Sequence, residues 1–508
     1  MSNCNGDRDS MIASLSPRWI IAALLAAAYV VFVPTFSLPW IYDDLVVIVG
    51  NPDVQSISAF WRDSYPGRPL REVTFLLDHA LFGLQPAGWH LQHLLWHGLN
   101  AGLVFLLGRR LTGSPLAGVL AALCFLVHPL QVEVVANLSH RKDSLALFFI
   151  LAALLAYARS FDAAVPLWRW RLAALILGSI GVLAKENALV VPLLWLGYEG
   201  LYVPPAERLL LRRPRWIAAA AVAAGVAAVI WWLAGDGSEL YREPLSGLMA
   251  KMNKSFAGDT LLPYWLMMLK GWAWMFLRLV WPAALAVEYT YVAPSGWGDP
   301  WVLAALVLTL ASLGLGVVTW RRDWRLVGMA LLCFWCLWLP TSNLWPLSYF
   351  AADRYIYAPS VGVCLVAGWA GGWLVGHWRL ALLPLAGLLL LLAVLSWRQC
   401  GVWQSNFTLW SRAVAVSPTS TTALNNLGQV HLDLGELDEA QAYFQRAAAN
   451  MTDPIPFYNL GQLFERKGDA ERALYNYRLF LSFNDPRYQQ KAQALRQRLM
   501  PNYSPPGR

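Results

Sequence analysis

Long apolar runs separated by short polar connections dominate the first four fifths of the chain. The stretches 20–33, 145–157, 216–233, 301–320 and 380–395 contain no charged residue at all. Roughly 20 apolar residues span a bilayer as a helix, and a lone segment satisfies its own backbone there only as a helix. The runs predict spans near 19–36, 90–108, 112–127, 144–158, 170–184, 187–202, 215–234, 300–320, 326–340, 359–377 and 379–397. The tryptophan-rich stretch 261–281 is ambiguous, because Lys270 and Arg278 interrupt it. Charge in mid-span is costly, so this stretch reads either as a span facing a polar cavity or as a helix lying at the interface.

The pattern changes at about residue 400, where helical amphipathicity takes over. NNLG at 425–428 is followed by Gly435, Ala440, Phe444 and Ala447, and YNLG at 458–461 by Gly468, Ala473, Tyr477 and Phe480. The offset of 33 residues is close to the 34 of the tetratricopeptide unit, a helix pair that needs neighbours to bury its apolar face. Repeats are expected at about 421–453 and 454–486, with a half-unit before them at 407–418 and a closing helix at 486–500. The predicted fold class is therefore all-α: a polytopic transmembrane domain over 1–400, a tetratricopeptide α-solenoid over 401–500, and a tail over 501–508.

Composition agrees, with 57% hydrophobic and only 14% charged residues, against about 25% charged in soluble proteins. The net charge of +8 is carried by basic residues flanking apolar runs, such as Arg109, Arg110, Arg208, Arg212 and Arg325. Such residues hold loops in the cytoplasm, so the charge implies orientation and excludes nucleic acid as a partner. Cys333 and Cys336 have CxxC spacing but lie inside a helical apolar run, where core packing is the expected role. The first run follows Arg18 without a clear cleavage site and reads as an anchor. With basic loops inside, the loops 37–89, 128–143, 185–187, 236–260 and 341–358 share the outer side. The repeats join them there if 261–281 does not cross.

Chemistry is expected on that outer side. Asp43 and Asp44 stand directly after the first span. Like charge and an apolar surface both raise a carboxylate's pKa, as a general base requires, though a simple polar stop after a span would look the same. Arg68, Arg71 and His90 follow; then come His128, Glu133, Arg141, Lys142 and Asp143; then Lys185 and Glu186; then Asp353 and Arg354. Arginines and lysines gathered at a bilayer surface form an anion site, although each alone could be an interfacial snorkel or a salt bridge. Asn425, Asn426, Tyr458 and Asn459 fall on first helices of the repeats, whose faces line a concave groove or stabilise helix packing.

At these residues the chain resembles the transmembrane and tetratricopeptide-repeat family of protein O-mannosyltransferases, which use lipid-linked sugars on a GT-C-type membrane domain. The blocks are YDDLVVIVGNPDV (42–54), GRPLREVTFLLDHALFGLQPAGWHLQHLLWHGLNAGLV (67–104), HPLQVEVVANLSHRKDSLALFF (128–149), LAKENALVVPLLWLGYE (183–199) and DRYIYAPSVG (353–362). The resemblance implies transfer of a sugar, mannose or similar, from a polyprenyl-phosphate carrier to hydroxyls of a secreted or membrane protein, with inversion. Asp43 is then the expected base with Asp44 beside it. Arg141, Lys185 and Arg354, followed by Arg68 and His128, are the expected phosphate ligands. Glu133, Glu186 and Asp353 would orient them or supply a second acid. The lipid-linked donor that the resemblance implies makes a nucleotide motif unnecessary, and none is evident; no dense metal-ligand cluster is found, so no resident metal is predicted, although paired acids can hold a hard divalent cation. The resemblance places the active face in the periplasm of a bacterial inner membrane, or in the endoplasmic reticulum lumen of a eukaryote. The rival readings are a transporter, against which no internal symmetry of spans is found, and a non-catalytic scaffold working through its repeats.

Overall fold

The computed structural model describes residues 16–63, 68–162, 167–212, 262–290, 294–321, 324–344, 347, 349–449, 451 and 453–499. Every regular element among them is helical. The contacts divide the chain into a first unit of 1–249, 260–285 and 293–404 and a second of 250–259, 286–292 and 405–508.

The first unit contains α1 (Pro17–Val31), α2 (Pro69–Phe82), α3 (Pro86–Thr112), α4 (Pro115–Val127), α5 (Arg141–Arg159), α6 (Leu167–Ala184), α7 (Val191–Tyr202), α8 (Leu262–Val280), α9 (Pro300–Arg321), α10 (Arg325–Trp338), α11 (Ser360–His377) and α12 (Leu382–Cys400). The segments 167–184, 300–319, 360–377 and 379–403 are long and apolar enough to cross a membrane. Residues 115–127 and 129–136 make a fifth if their 53° break lies within one span. The other apolar runs among the described residues are helices too, but shorter or more polar, and the run 215–234 lies outside the described residues. Such helices approach through small residues, because lipid leaves close packing as the main attraction. A Cβ on Gly118 of α4 would stand 2.7 Å from the Phe105 carbonyl of α3, and one on Gly368 of α11 would stand 2.5 Å from that of Ala117.

The ambiguous 261–281 stretch forms α8, which is buried along most of its length and is not among the helices apolar enough to cross. Its Lys270 is tied to Asp299 at 3.0 Å, and its Trp272 and Phe276 stack in a cluster with Phe334, Trp335 and Trp338 of α10. The lysine that made this stretch ambiguous is thus neutralised inside the protein.

The second unit holds α13 (Asn406–Val416), α14 (Thr421–Leu434), α15 (Leu437–Ala448), α16 (Ile455–Arg466), α17 (Ala470–Ser482) and α18 (Gln489–Leu499). The α14/α15 and α16/α17 pairs repeat the same contact. A Cβ on Gly428 would meet the Phe444 ring at 2.7 Å, and one on Gly461 the Tyr477 ring at 2.4 Å. Gly435 and Gly468 close the first helices with φ of 82° and 77°, values that a side chain resists. Gly461→Ala should lower the unfolding free energy by about 1–3 kcal/mol through overpacking. The check is the urea dependence of protease sensitivity in the repeat unit, where an unchanged midpoint would contradict this packing account.

Candidate functional site

The site begins where α1 stops. A 3₁₀ turn (Val33–Ser37) and an extended stretch lead to Tyr42, which sits at φ 54°, a left-handed conformation costly for a bulky side chain. Asp43 and Asp44 follow, and a π-helical turn (Leu45–Val49) carries the chain onward. π-Turns recur at functional sites because they displace one residue from helical register. Asp43 is half-buried, whereas Asp44 is 1% exposed. Asp44 Oδ1 accepts a hydrogen bond from the Ser139 amide at 2.7 Å, which fastens the first loop to the second.

The second loop is a chain of single turns (Pro129–Gln131, Val132–Ala136, Leu138–His140) ending at α5. Glu133 reaches the late loop, taking the Arg354 backbone N–H at 2.9 Å and its guanidinium at 2.5 Å. Arg354 in turn lies over the rings of Tyr349 and Tyr355. Lys185, between α6 and α7, pairs with Asp143 at 2.6 Å, and Arg68, at the N-terminus of α2, pairs with Glu186 at 3.1 Å. Arg71 clasps Glu72 at 2.5 Å, and His140 lies 3.8 Å from Glu133 and 3.7 Å from Asp143.

Lys142 completes the basin. It lies within electrostatic reach of Arg68, Arg71 and Lys185, with Asp143 also near, and it faces Asp43. Unlike the cations around it, Lys142 has no hydrogen-bond or ion-pair partner among the described residues. Lys142 is half-buried, and desolvation together with Arg68 and Arg71 pushes its pKa well below the ordinary lysine value, so an anion arriving beside it would favour its charged form. Burial pushes the Asp43 carboxyl up, while Lys142, Arg354 and Arg71 pull it back. Burial drives Asp44 further, to about 8, against the pull of the Ser139 amide.

The structure gathers Asp43, Asp44, Arg68, Glu133, Lys185, Glu186 and Arg354 around this basin, with Asp353 buried at its rim. Two expected phosphate ligands are otherwise engaged. Arg141 is wholly buried and spends its guanidinium on Asp78 at 2.5 Å, Gln92 at 2.6 Å and the Trp89 carbonyl at 3.0 Å. His128 uses Nε2 on the Leu279 carbonyl and Nδ1 on the Leu130 amide, as the cap of a 3₁₀ turn. Sequence reading placed Lys142 and Arg71 among the outer-side charges but did not choose them as phosphate ligands. Adjacent residues point about 100° apart on a helix, so only the location of Asp78 decides which of Arg141 and Lys142 serves the basin. In the repeat unit, Asn459 donates to Asn425 at 2.9 Å, and Tyr458 packs on Tyr477 and Phe480, while Asn426 stays half-buried on α14.

Arg141 and Lys142 should respond differently to mutation. Asp78→Ala strands the buried Arg141 and should cost about 3–5 kcal/mol; Lys142→Met removes a half-buried amine that makes no ion pair among the described residues and should leave thermal stability in detergent unchanged or raised. Equal losses in the two variants would contradict this division. Asp44 provides a second check through pH. Its folded pKa lies above the unfolded value, so the folded state holds the proton longer, and stability falls as pH rises from about 4 to about 8. Asp44→Asn keeps an acceptor for Ser139 but cannot titrate, so its melting temperature relative to the native chain should climb across that window and level off above it. A constant difference would show that Asp44 titrates normally.

Parts of the chain are similar to known proteins. Residues 73–232 match the family model described as dolichyl-phosphate-mannose-protein mannosyltransferase, and 421–452 match that of the tetratricopeptide repeat. The protein O-mannosyl-transferase TMTC4 of Homo sapiens is 26% identical over 537 aligned residues, covering 87% of this chain and 68% of the relative. TMTC3 of the same organism is 24% identical, covering 86% of this chain and 52% of the relative. The chain thus spans about two thirds of the first relative and about half of the second. Among solved structures, ArnT from Cupriavidus metallidurans bound to undecaprenyl phosphate aligns with a TM-score of 0.39 and 15% identity, over 86% of this chain and 76% of that one. Over most of its length the chain is thus similar to proteins named protein O-mannosyl-transferases, with its membrane unit matching the mannosyltransferase model in part and its C-terminal unit matching the tetratricopeptide repeat.

Proposed function

We propose that the chain is a membrane glycosyltransferase that moves a sugar from a polyprenyl-phosphate carrier to a hydroxyl of a protein acceptor on the non-cytoplasmic face, with inversion. The observation that carries this reading is Lys142, which makes no ion pair among the described residues and lies within electrostatic reach of Asp43, among the paired cations Arg68, Arg71 and Lys185. A lipid phosphate supplies the charge that Lys142 lacks, and relatives named protein O-mannosyl-transferases surround the chain in sequence.

The residues divide the reaction between them. Asp43, half-buried at the basin, takes the proton of the acceptor hydroxyl. The freed oxygen pair forms the new bond to the sugar's anomeric carbon from the face opposite the phosphate. The carbon–oxygen bond to phosphate breaks, and its electrons stay on the departing lipid phosphate. A single displacement of this kind inverts the anomeric centre. Lys142, with Arg68, Arg71 and Arg354 nearby, stabilises the charge growing on the leaving oxygen, and fixed cations do this without reorganising during the step. Asp44 positions Asp43 by anchoring the loop to Ser139 rather than by reaching the substrate. The repeat unit, by its stacked helix pairs, is suited to hold an extended acceptor segment. The basic connections at the other helix ends favour a periplasmic or lumenal orientation for the basin.

The test is transfer from radiolabelled polyprenyl-phosphate sugars to a panel of secreted proteins, using the purified full chain. Asp43→Asn should reduce the rate by about 10²–10⁴-fold, and Lys142→Met by about 10²–10³-fold, with both variants folded and still purified from membranes. Near-native transfer by Asp43→Asn would remove the base assignment. Transfer to no protein in the panel, with hydrolysis of the donor intact, would move the acceptor to another class.

A further inference from the structure

The chain has a second cationic cavity, at the opposite end of α7 from the basin. α7 starts just after Lys185 and Glu186 and ends at Tyr202; its 12 residues extend roughly 18 Å at 1.5 Å per residue. Beyond Tyr202 lies a cavity of about 490 Å³ lined by Gly200–Pro205, Arg208, Thr319 and Arg325. It joins three places far apart in sequence: the end of α7 with its following loop, the end of α9 and the start of α10.

The loop that supplies Arg208 is held rigidly. Glu199, with no exposed surface, accepts the backbone N–H groups of Leu209, Leu210 and Leu211 at 2.9–3.0 Å and the Tyr157 hydroxyl at 2.5 Å. Arg208 gives Nε to the Val203 carbonyl and Nη2 to the Gly200 carbonyl, both at 3.0 Å, which closes the end of α7. Its remaining N–H groups have no partner among the described residues. Arg325 enters from the first residue of α10, and Thr319 is buried on the wall. Two guanidinium groups brought together on prearranged backbone form an anion site, because each offers paired donors to phosphate oxygens. Preorganisation leaves little ordering cost on binding.

The surroundings identify the anion. The cavity lies at the end of α9, one of the helices apolar enough to cross a membrane. Val317 and Val318 beside it are 57% and 39% exposed, an apolar strip leading away from the arginines. A free phosphate would use only the charge, whereas a phospholipid uses the charge and the strip together. We infer that this cavity binds the headgroup of an anionic phospholipid in the leaflet opposite the basin, with its acyl chains along α9. Basic pockets between helices on the cytoplasmic side recognise such headgroups in this way.

The purified full chain in neutral detergent tests this by native mass spectrometry with added phosphatidylglycerol, phosphatidylcholine or inorganic phosphate. One phosphatidylglycerol should be retained at least about tenfold more tightly than phosphatidylcholine, and millimolar inorganic phosphate should not displace it. The Arg208→Gln, Arg325→Gln double variant should lose that preference, and Arg208→Lys, Arg325→Lys should keep part of it. Equal retention of both lipids by the native chain, or displacement by inorganic phosphate, would overturn the inference whatever the variants do. An undiminished preference in a folded Arg325→Gln single variant would overturn it as well. Sugar transfer is not the readout, so the result is independent of the proposed reaction.

Discussion

Charge buried beside a membrane must be compensated, and this constraint organises the whole first unit. Arg71 is matched to Glu72, Arg68 to Glu186, Lys185 to Asp143, Arg354 to Glu133 and Arg141 to Asp78. Each pair connects separate loops or helices except Arg71–Glu72, so the pairing that neutralises the charge also fixes the loops. Lys142 is left over from these pairs, with Arg68, Arg71 and Lys185 around it and Asp43 and Asp143 within electrostatic reach.

The helices act as posts for loops that could not hold this arrangement alone. α2 and α5 carry charged residues of the site in their first turns, and the connections after α1, before α5 and before α7, with the late loop, carry the rest. Strain is concentrated where the base is proposed to act: Tyr42 lies at positive φ immediately before Asp43, and a π-helical turn follows Asp44. The Ser139 amide holds this segment in place at 2.7 Å. A conformation that would relax in a free loop persists because the second loop over-determines it.

The sequence made much of this legible, and the gaps have physical reasons. The repeat unit could be read directly, since Gly428 and Gly461 recur at the places where aromatic rings need room. The carboxylates after the first apolar run stood out because charge is rare in so apolar a chain. Arg141 and Lys142 could not be told apart, because helix phase relative to Asp78, 63 residues upstream, decides which one is consumed. His128 looked like a site residue until its partner proved to be the carbonyl of Leu279, 151 residues away. Local pattern says little about backbone acceptors contributed by distant helices. The stretch 261–281 was ambiguous for the same reason, since Asp299 beyond its end neutralises Lys270.

The central claim is that Lys142, rather than Arg141, meets the lipid phosphate in front of Asp43. A cryo-electron microscopy structure of the full chain with bound polyprenyl phosphate tests it directly. The account places a phosphate oxygen within hydrogen-bond distance of Lys142 Nζ, with the Arg141–Asp78 pair intact and the Asp43 carboxylate facing the same space. A phosphate held by Arg141 with Asp78 displaced, or lodged away from Asp43, would contradict it.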